Sequence, residues 1–223
     1  MHQTLATIND KCRSTNATTW LMANHSSTVE WFKAKFADMS VKHITQLTEQ
    51  MISQMTEEDT VVGTLPAHWI AQLTAKGIRY AHIEFAIPKA MRGIKLTAEQ
   101  LNELAPSLKQ YEVVKTTQRL SFKAPTLIVS RHQASVDYLK AQLEDHIHVE
   151  HLTNELNLQG VEQLVGNFPL HVIAKLQKQG KRCFVIHFAT PPLGQELLSH
   201  TLQQHAFSFE HFDVMSFEST LTF

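Results

Sequence analysis

The sequence predicts an α/β protein made of two tandem units, each a mostly parallel, doubly wound sheet. Three observations predict it. The chain is written twice: Gly63-Thr64-Leu65-Pro66-Ala67-His68-Trp69-Ile70-Ala71-Gln72-Leu73 returns as Gly166-Asn167-Phe168-Pro169-Leu170-His171-Val172-Ile173-Ala174-Lys175-Leu176. The register then holds without a gap through Gly77/Gly180, Arg79/Arg182, Ile83/Ile186, Phe85/Phe188, Ala86/Ala189 and Pro88/Pro191. Within each copy, short β-branched or apolar runs alternate with longer segments of helical period, the pattern of βα units. Prolines and glycines punctuate both copies at matching places.

Taken in order, Trp20-Leu21-Met22-Ala23 and Leu127-Ile128-Val129-Ser130 read as the first strands, followed by helices from about Ser27 and Ala134. A second short strand ends at His43 or His151, and the third is Val61-Val62-Gly63 or Gln163-Leu164-Val165-Gly166. The next helix opens at Pro66 or Pro169 and stops at Gly77 or Gly180, because proline suits a first helical turn and glycine a left-handed stop. Arg79 to Phe85 and Cys183 to Phe188 follow as strands. Further helices over 97–108 and 194–205 lead to final strands over 111–115 and 211–215. Residues 1–17 form an unmatched polar tail, 18–120 the first unit, Ser121-Phe122-Lys123-Ala124-Pro125 the linker, and 126–223 the second unit. Two similar units in one chain are expected to pack as a pseudo-dimer, with further dimerisation left open.

The repeat extends upstream with short gaps. Thr19 to His25 matches Thr126 to His132, Val29-Glu30-Trp31-Phe32-Lys33 matches Val136-Asp137-Tyr138-Leu139-Lys140, and Val41 to Thr45 matches Val149 to Thr153. The histidine pairs His25/His132, His43/His151 and His68/His171 therefore correspond. Each can also cap a loop or fill a polar gap in the core, least readily His25 and His132 and most readily His68 and His171 inside a helix. Trp20, Trp31, Trp69, Phe32 and Tyr138 sit in apolar periodic segments and read as core or inter-unit packing.

The balance of 20 Lys+Arg against 21 Asp+Glu, for a net charge of −1, argues against tracking long duplex nucleic acid and leaves room for a small anion. The two cysteines, Cys12 and Cys183, occupy unrelated positions and form neither a disulfide framework nor a thiolate metal site. No His-x-x-x-His or His-x-Glu arrangement recurs in both copies, so neither metal nor cofactor is expected. With no long apolar run and no basic-then-apolar N-terminus, the chain reads as soluble and cytoplasmic, with no membrane partner.

Ligands of doubly wound sheets bind beyond the carboxyl ends of the strands. There the second unit has Ser130-Arg131-His132 after its first strand, His151 after its second and Gly166-Asn167-Phe168 after its third. The first unit offers Asn24, His25, Gly63, Thr64 and Leu65. Free N–H groups at the helix start beside a glycine make a phosphate cradle, although Gly63, Gly166, Pro66 and Pro169 also serve turn geometry alone. Neither Walker nor dinucleotide motif is present. Arg131 offers a planar fork to a phosphate, and His132 is a residue type able to take up and give up a proton. Such a pair suits phosphodiester cleavage by a neighbouring ribose 2′-hydroxyl, which needs in-line positioning and charge stabilisation but no metal.

The run Ile128-Val129-Ser130-Arg131-His132-Gln133-Ala134, the Gly63-Thr64-Leu65-Pro66 turn, and Pro88-Lys89-Ala90-Met91-Arg92-Gly93-Ile94-Lys95-Leu96 resemble a small CRISPR-associated accessory family of type III systems, of the Csx type. That resemblance implies Rossmann-like units, related to the CARF domains that sense cyclic oligoadenylates. It also implies a metal-independent ring nuclease that cuts cyclic tetra-adenylate and ends the antiviral signal. The first unit has Ala23-Asn24-His25 in place of Ser130-Arg131-His132, and the second lacks counterparts of Lys89, Arg92 and Lys95. One composite site is therefore expected, with Ser130, Arg131 and His132 for chemistry and Arg92 and Lys95 holding the ring. A non-catalytic binder of the same messenger and a protein-interaction module are the alternatives.

Overall fold

The structure is a computed structural model that describes residues 17–37, 39–85, 88, 91, 94–153, 156–188 and 207–217. The chain divides into two compact units, Met1–Val114 with Met215–Phe223, and Lys115–Val214. In unit 1 the described elements are β1 (Thr19–Met22), α1 (Ser26–Lys35), β2 (Val41–Ile44), α2 (Glu49–Gln54), β3 (Thr60–Gly63), α3 (Ala67–Ala75), β4 (Arg79–Glu84), α4 (Ala98–Glu103) and β5 (Ser107–Lys115). In unit 2 they are β6 (Thr126–Val129), α5 (Gln133–Gln142), β7 (His146–Val149), β8 (Gln163–Gly166), α6 (Leu170–Lys178), β9 (Arg182–Phe188) and β10 (Phe207–Phe217). The expected helix at 194–205 falls outside the described residues, as does the 1–17 tail apart from Ala17.

Both units run their strands in the same order: β2-β1-β3-β4-β5 in the first and β7-β6-β8-β9-β10 in the second. The first four strands of each are parallel, and the fifth runs antiparallel to its neighbour. Central strands β3, β6 and β8 are buried at every position, as parallel strands covered on both faces must be. In unit 1, Leu21, Trp31, Phe32, Val62 and Ile83 pack with Leu101 and Leu108; in unit 2, Ile128, Val136, Leu139, Val165 and Phe184 form the matching core.

Helix ends repeat as closely as the strands. Gly77, at φ 70°, gives its N–H to Thr74 while Ile78 bonds back to Leu73; Gly180, at φ 74°, and Lys181 repeat both bonds to Gln177 and Leu176. This is the Schellman stop, which needs a left-handed residue at that point. Pro66 and Pro169 stand one residue earlier than expected, as N-caps.

Four features differ from the sequence expectation. Helix α2 had no counterpart in it; Thr48 caps it by accepting the Met51 N–H at 3.2 Å. Helix α4 is shorter than 97–108, because Ala105 is left-handed at φ 46° and Pro106 cannot continue a helix, so β5 starts at Ser107. The 121–125 segment is part of unit 2, where Ser121 exchanges backbone bonds with the buried Gln163 amide and Pro125 accepts from Glu162. Finally, Leu21 pairs with His43 and Ile128 with His148, so the partner of His43 is His148 and not His151. Their shared role explains the pairing: His43 Nε2 donates to Ala23 O at 2.8 Å and His148 Nε2 to Ser130 O at 2.9 Å.

Candidate functional site

In a sheet of this order the chain leaves β6 toward one neighbour and β8 toward the other, and the divergence opens a crevice at their carboxyl ends. Gly166 ends β8 there because nothing larger fits: a Cβ would lie 2.2 Å from Val129 O. Gly63 is under the same constraint, with Met22 O at 2.3 Å and φ at 147°. Both glycines thus hold the sheet together at the crevice floor, whatever else they do.

A cavity of about 680 Å³ occupies the crevice of unit 2. Its wall includes Ser130, Arg131 and His132 from the β6–α5 turn, His151 from the segment after β7, and Gly166, Asn167 and Phe168 from the β8–α6 turn. All seven second-unit residues singled out from sequence therefore converge. Ser135, Glu150, Leu152, Val172, Ile186 and Phe188 complete the wall with Val129 and Pro169. Glu150 stood beside His151 in the repeat without a chemical signature. Ser135 gave no signal at all, since a serine in a first helical turn is ordinary and its burial depends on the fold.

The β6–α5 turn is fixed by its backbone. Ser130 N–H bonds to Val149 O at 3.1 Å, His148 holds Ser130 O, and Ser130 Oγ accepts the His132 N–H at 3.1 Å. His132 is the N-cap of α5 and uses no side-chain capping bond, which leaves its ring to the exposed mouth. Arg131, His132, Asn167 and His151 are exposed, and among the described residues their side chains make no hydrogen bond or ion pair. Phe168, Phe188, Ile186 and Val172 provide the apolar part of the wall. The arrangement can hold an anion by its polar groups and a flat apolar group by its aromatic ones.

The same region of unit 1 is built differently. Asn24, Thr45, Gln46, Thr64, Leu65 and Trp69 stand where unit 2 has Arg131, Glu150, His151, Asn167, Phe168 and Val172. Leu65 is buried, and its N–H donates to Tyr80 Oη at 3.1 Å. That hydroxyl donates in turn to Gly63 O at 2.7 Å and lies 2.7 Å from His82 Nδ1. Burial pushes the Tyr80 hydroxyl far above its ordinary pKa, so it stays protonated. Tyr111 bonds Glu84 on the same face. In unit 2 the Tyr80 and His82 positions hold Cys183 and Val185, and the buried thiol is pushed up to about 12, too high for a nucleophile.

Asn24 and His25 are exposed at the start of α1, where His25 is the N-cap. Lys95 is exposed and lines a separate cavity of about 290 Å³ with Ser26, Ser27, Glu30, Thr97 and Glu99. Arg92 and Lys89 lie outside the described residues. Among the described residues no three His, Cys, Asp or Glu side chains are grouped to hold a metal, and no helix is long and apolar enough to cross a membrane.

The fold and the crevice define a duplicated, doubly wound α/β protein with a ligand-sized cavity at the switch point of its second copy. The chain belongs to the family described as "Putative CRISPR-associated protein (Cas_VVA1548)", which matches residues 20–114 and again 127–215. No curated protein and no solved structure matches it.

Proposed function

We propose that this CRISPR-associated chain is a ring nuclease that binds cyclic oligoadenylate, cyclic tetra-adenylate first among them, and cleaves it without a metal. The observation that carries the proposal is the convergence of Ser130, Arg131, His132, His151 and Asn167 on one cavity whose remaining wall, apart from Ser135 and Glu150, is apolar. Arg131 places two donors on the non-bridging phosphoryl oxygens and stabilises the charge that grows there. His132 exchanges a proton with the reacting oxygens. The 2′-hydroxyl attacks the adjacent phosphorus, its proton is taken up, and the 5′-oxygen leaves as a protonated hydroxyl, giving a 2′,3′-cyclic phosphate end. Ser130 holds the His132 backbone through its oxygen and keeps its own proton for the ligand. Phe168 and Phe188 offer faces to an adenine.

A non-catalytic binder is the second reading, favoured by one observation: Asn24 replaces the arginine in unit 1, so the chain has a single Ser-Arg-His turn. The two readings separate on incubation of the full chain with cyclic tetra-adenylate in excess EDTA, followed by mass analysis. Linear products that disappear with His132→Ala and Arg131→Ala establish the nuclease. An intact ring retained by the protein establishes the binder, and an intact ring left unbound refutes both.

A further inference from the structure

Strand register sets Glu150 beside the Ser130-Arg131-His132 turn. Val129 pairs with Val149 on one side and with Gly166 on the other, and the Ser130 N–H reaches Val149 O at 3.1 Å. Glu150 is therefore the first residue past β7 and the lateral neighbour of Ser130, while Asn167 follows β8 on the opposite flank. Adjacent strands lie about 4.8 Å apart, so the two flanks are separated by roughly 10 Å, with the turn between them. Phe168 and Phe188 stand on the Asn167 side, in the β8–α6 turn and at the end of β9.

Glu150 is the one carboxylate in the cavity wall among the described residues. It is exposed and makes no hydrogen bond or ion pair among them, so Arg131 is not neutralised by it and stays available to a phosphate. An ionised carboxylate only accepts hydrogen bonds, and it repels phosphoryl oxygens. In a nucleotide whose base is turned toward the phenyl rings, the donor left for Glu150 is a ribose hydroxyl. Unit 1 has the same backbone bond, from the Ala23 N–H to Ile44 O at 3.1 Å, but carries the uncharged Thr45 in the place of Glu150.

In-line displacement puts the entering 2′-oxygen and the departing 5′-oxygen on opposite sides of the phosphorus, and one imidazole cannot reach both at once. We infer that Glu150 is the general base of this cavity. Its carboxylate accepts the ribose 2′-hydroxyl and takes that proton as the bond from the 2′-oxygen to phosphorus forms. His132 gives a proton to the 5′-oxygen as the bond from phosphorus to the 5′-oxygen breaks. The step leaves a neutral carboxyl and an imidazole short of one proton, and water restores both. The assignment rests on the cleavage proposed above and divides its two proton transfers between two segments of the chain.

The test compares full-length wild type, Glu150→Gln, His132→Ala and Thr45→Ala in EDTA. Single-turnover rates are taken on cyclic tetra-adenylate and on a ring in which one bridging 5′-oxygen is sulfur, a leaving group that departs without a proton. Glu150→Gln lowers the rate about 10²- to 10⁴-fold on both rings. His132→Ala loses its rate on the oxygen ring and regains most of it on the sulfur ring, and Thr45→Ala stays within twofold of wild type. A 2′-fluoro ring, which has no hydroxyl proton to give, binds Glu150→Gln at least as tightly as wild type, which shows that the variant is folded. Recovery of Glu150→Gln by the sulfur overturns the inference, because it puts the carboxylate on the leaving side. So does a loss of affinity for the 2′-fluoro ring alongside the loss of rate, the mark of a structural carboxylate. A ring left uncut by wild type removes the nuclease reading together with its base, whereas cleavage by Glu150→Gln within tenfold of wild type removes the base alone.

Discussion

Around the glycine that ends the third strand, the two units share a strand order and differ in chemistry. In unit 1, Tyr80 fills its surroundings with hydrogen bonds to Gly63 O and Leu65 N, and the first turn of α1 closes on itself through Thr28. In unit 2, Cys183 replaces the tyrosine, the matching turn stays open, and charged and aromatic side chains surround a cavity. The lesson is that internal satisfaction and ligand binding compete for the same groups. A donor already bonded within the protein adds stability and is lost to the ligand, whereas an open donor does the reverse.

The comparison breaks most visibly at the histidines. His132→Ala is expected to lower turnover of cyclic tetra-adenylate by about 10²- to 10⁴-fold, the usual contribution of an acid–base group, and His25→Ala by less than about tenfold. Single-turnover rates check this, and equal losses would sink the division of labour. Next come the glycines, which test what the units share. Gly166→Ala and Gly63→Ala each press a Cβ into a strand carbonyl, at 2.2 and 2.3 Å respectively, so each should cost about 2–3 kcal/mol in urea unfolding.

Tyr80→Phe sharpens the contrast at a smaller scale. It strands Gly63 O and Leu65 N and should cost about 1–3 kcal/mol, with ring binding unchanged. A variant as stable as wild type would mean that the tyrosine bonds are not what closes unit 1.

The smallest effect is a pH dependence. His211, 3% exposed, has its pKa lowered, by burial first and by Arg182 in addition, against an opposing pull from Asp213. The unfolded chain then binds the proton more readily than the folded one. Stability is full above about pH 6.5 and declines as pH falls below it. Thermal midpoints between pH 7 and pH 5 should show that decline, and His211→Gln should flatten it.

The repeat made most of this fold legible, because strand runs, Pro66/Pro169 and Gly77/Gly180 recur in register and each has a local physical meaning. The wall of the second-unit cavity was legible for the same reason, since Gly166 ends a strand and Ser130, Arg131, His132, His151, Asn167 and Phe168 follow strand ends. Helix α2 was hidden because one turn capped by Thr48 carries too few residues to show a period. The pairing of His43 with His148 was hidden because a neighbouring histidine, His151, gave a better match of letters; only strand register distinguishes them. Ser135 was invisible because burial, and not residue type, makes it unusual.

Gln163 has one more consequence. Its fully buried amide accepts from Ser121 N at 3.3 Å and donates to Ser121 O at 2.5 Å and Thr126 Oγ1 at 2.7 Å. A gene fragment cut where the repeat begins, near residue 126, would therefore strip a buried side chain of two of its three bonds. Each orphaned group costs about 1–3 kcal/mol, a large part of a small domain's stability. The repeated sequence and the compact unit have different edges, and a truncation series should start at Lys115.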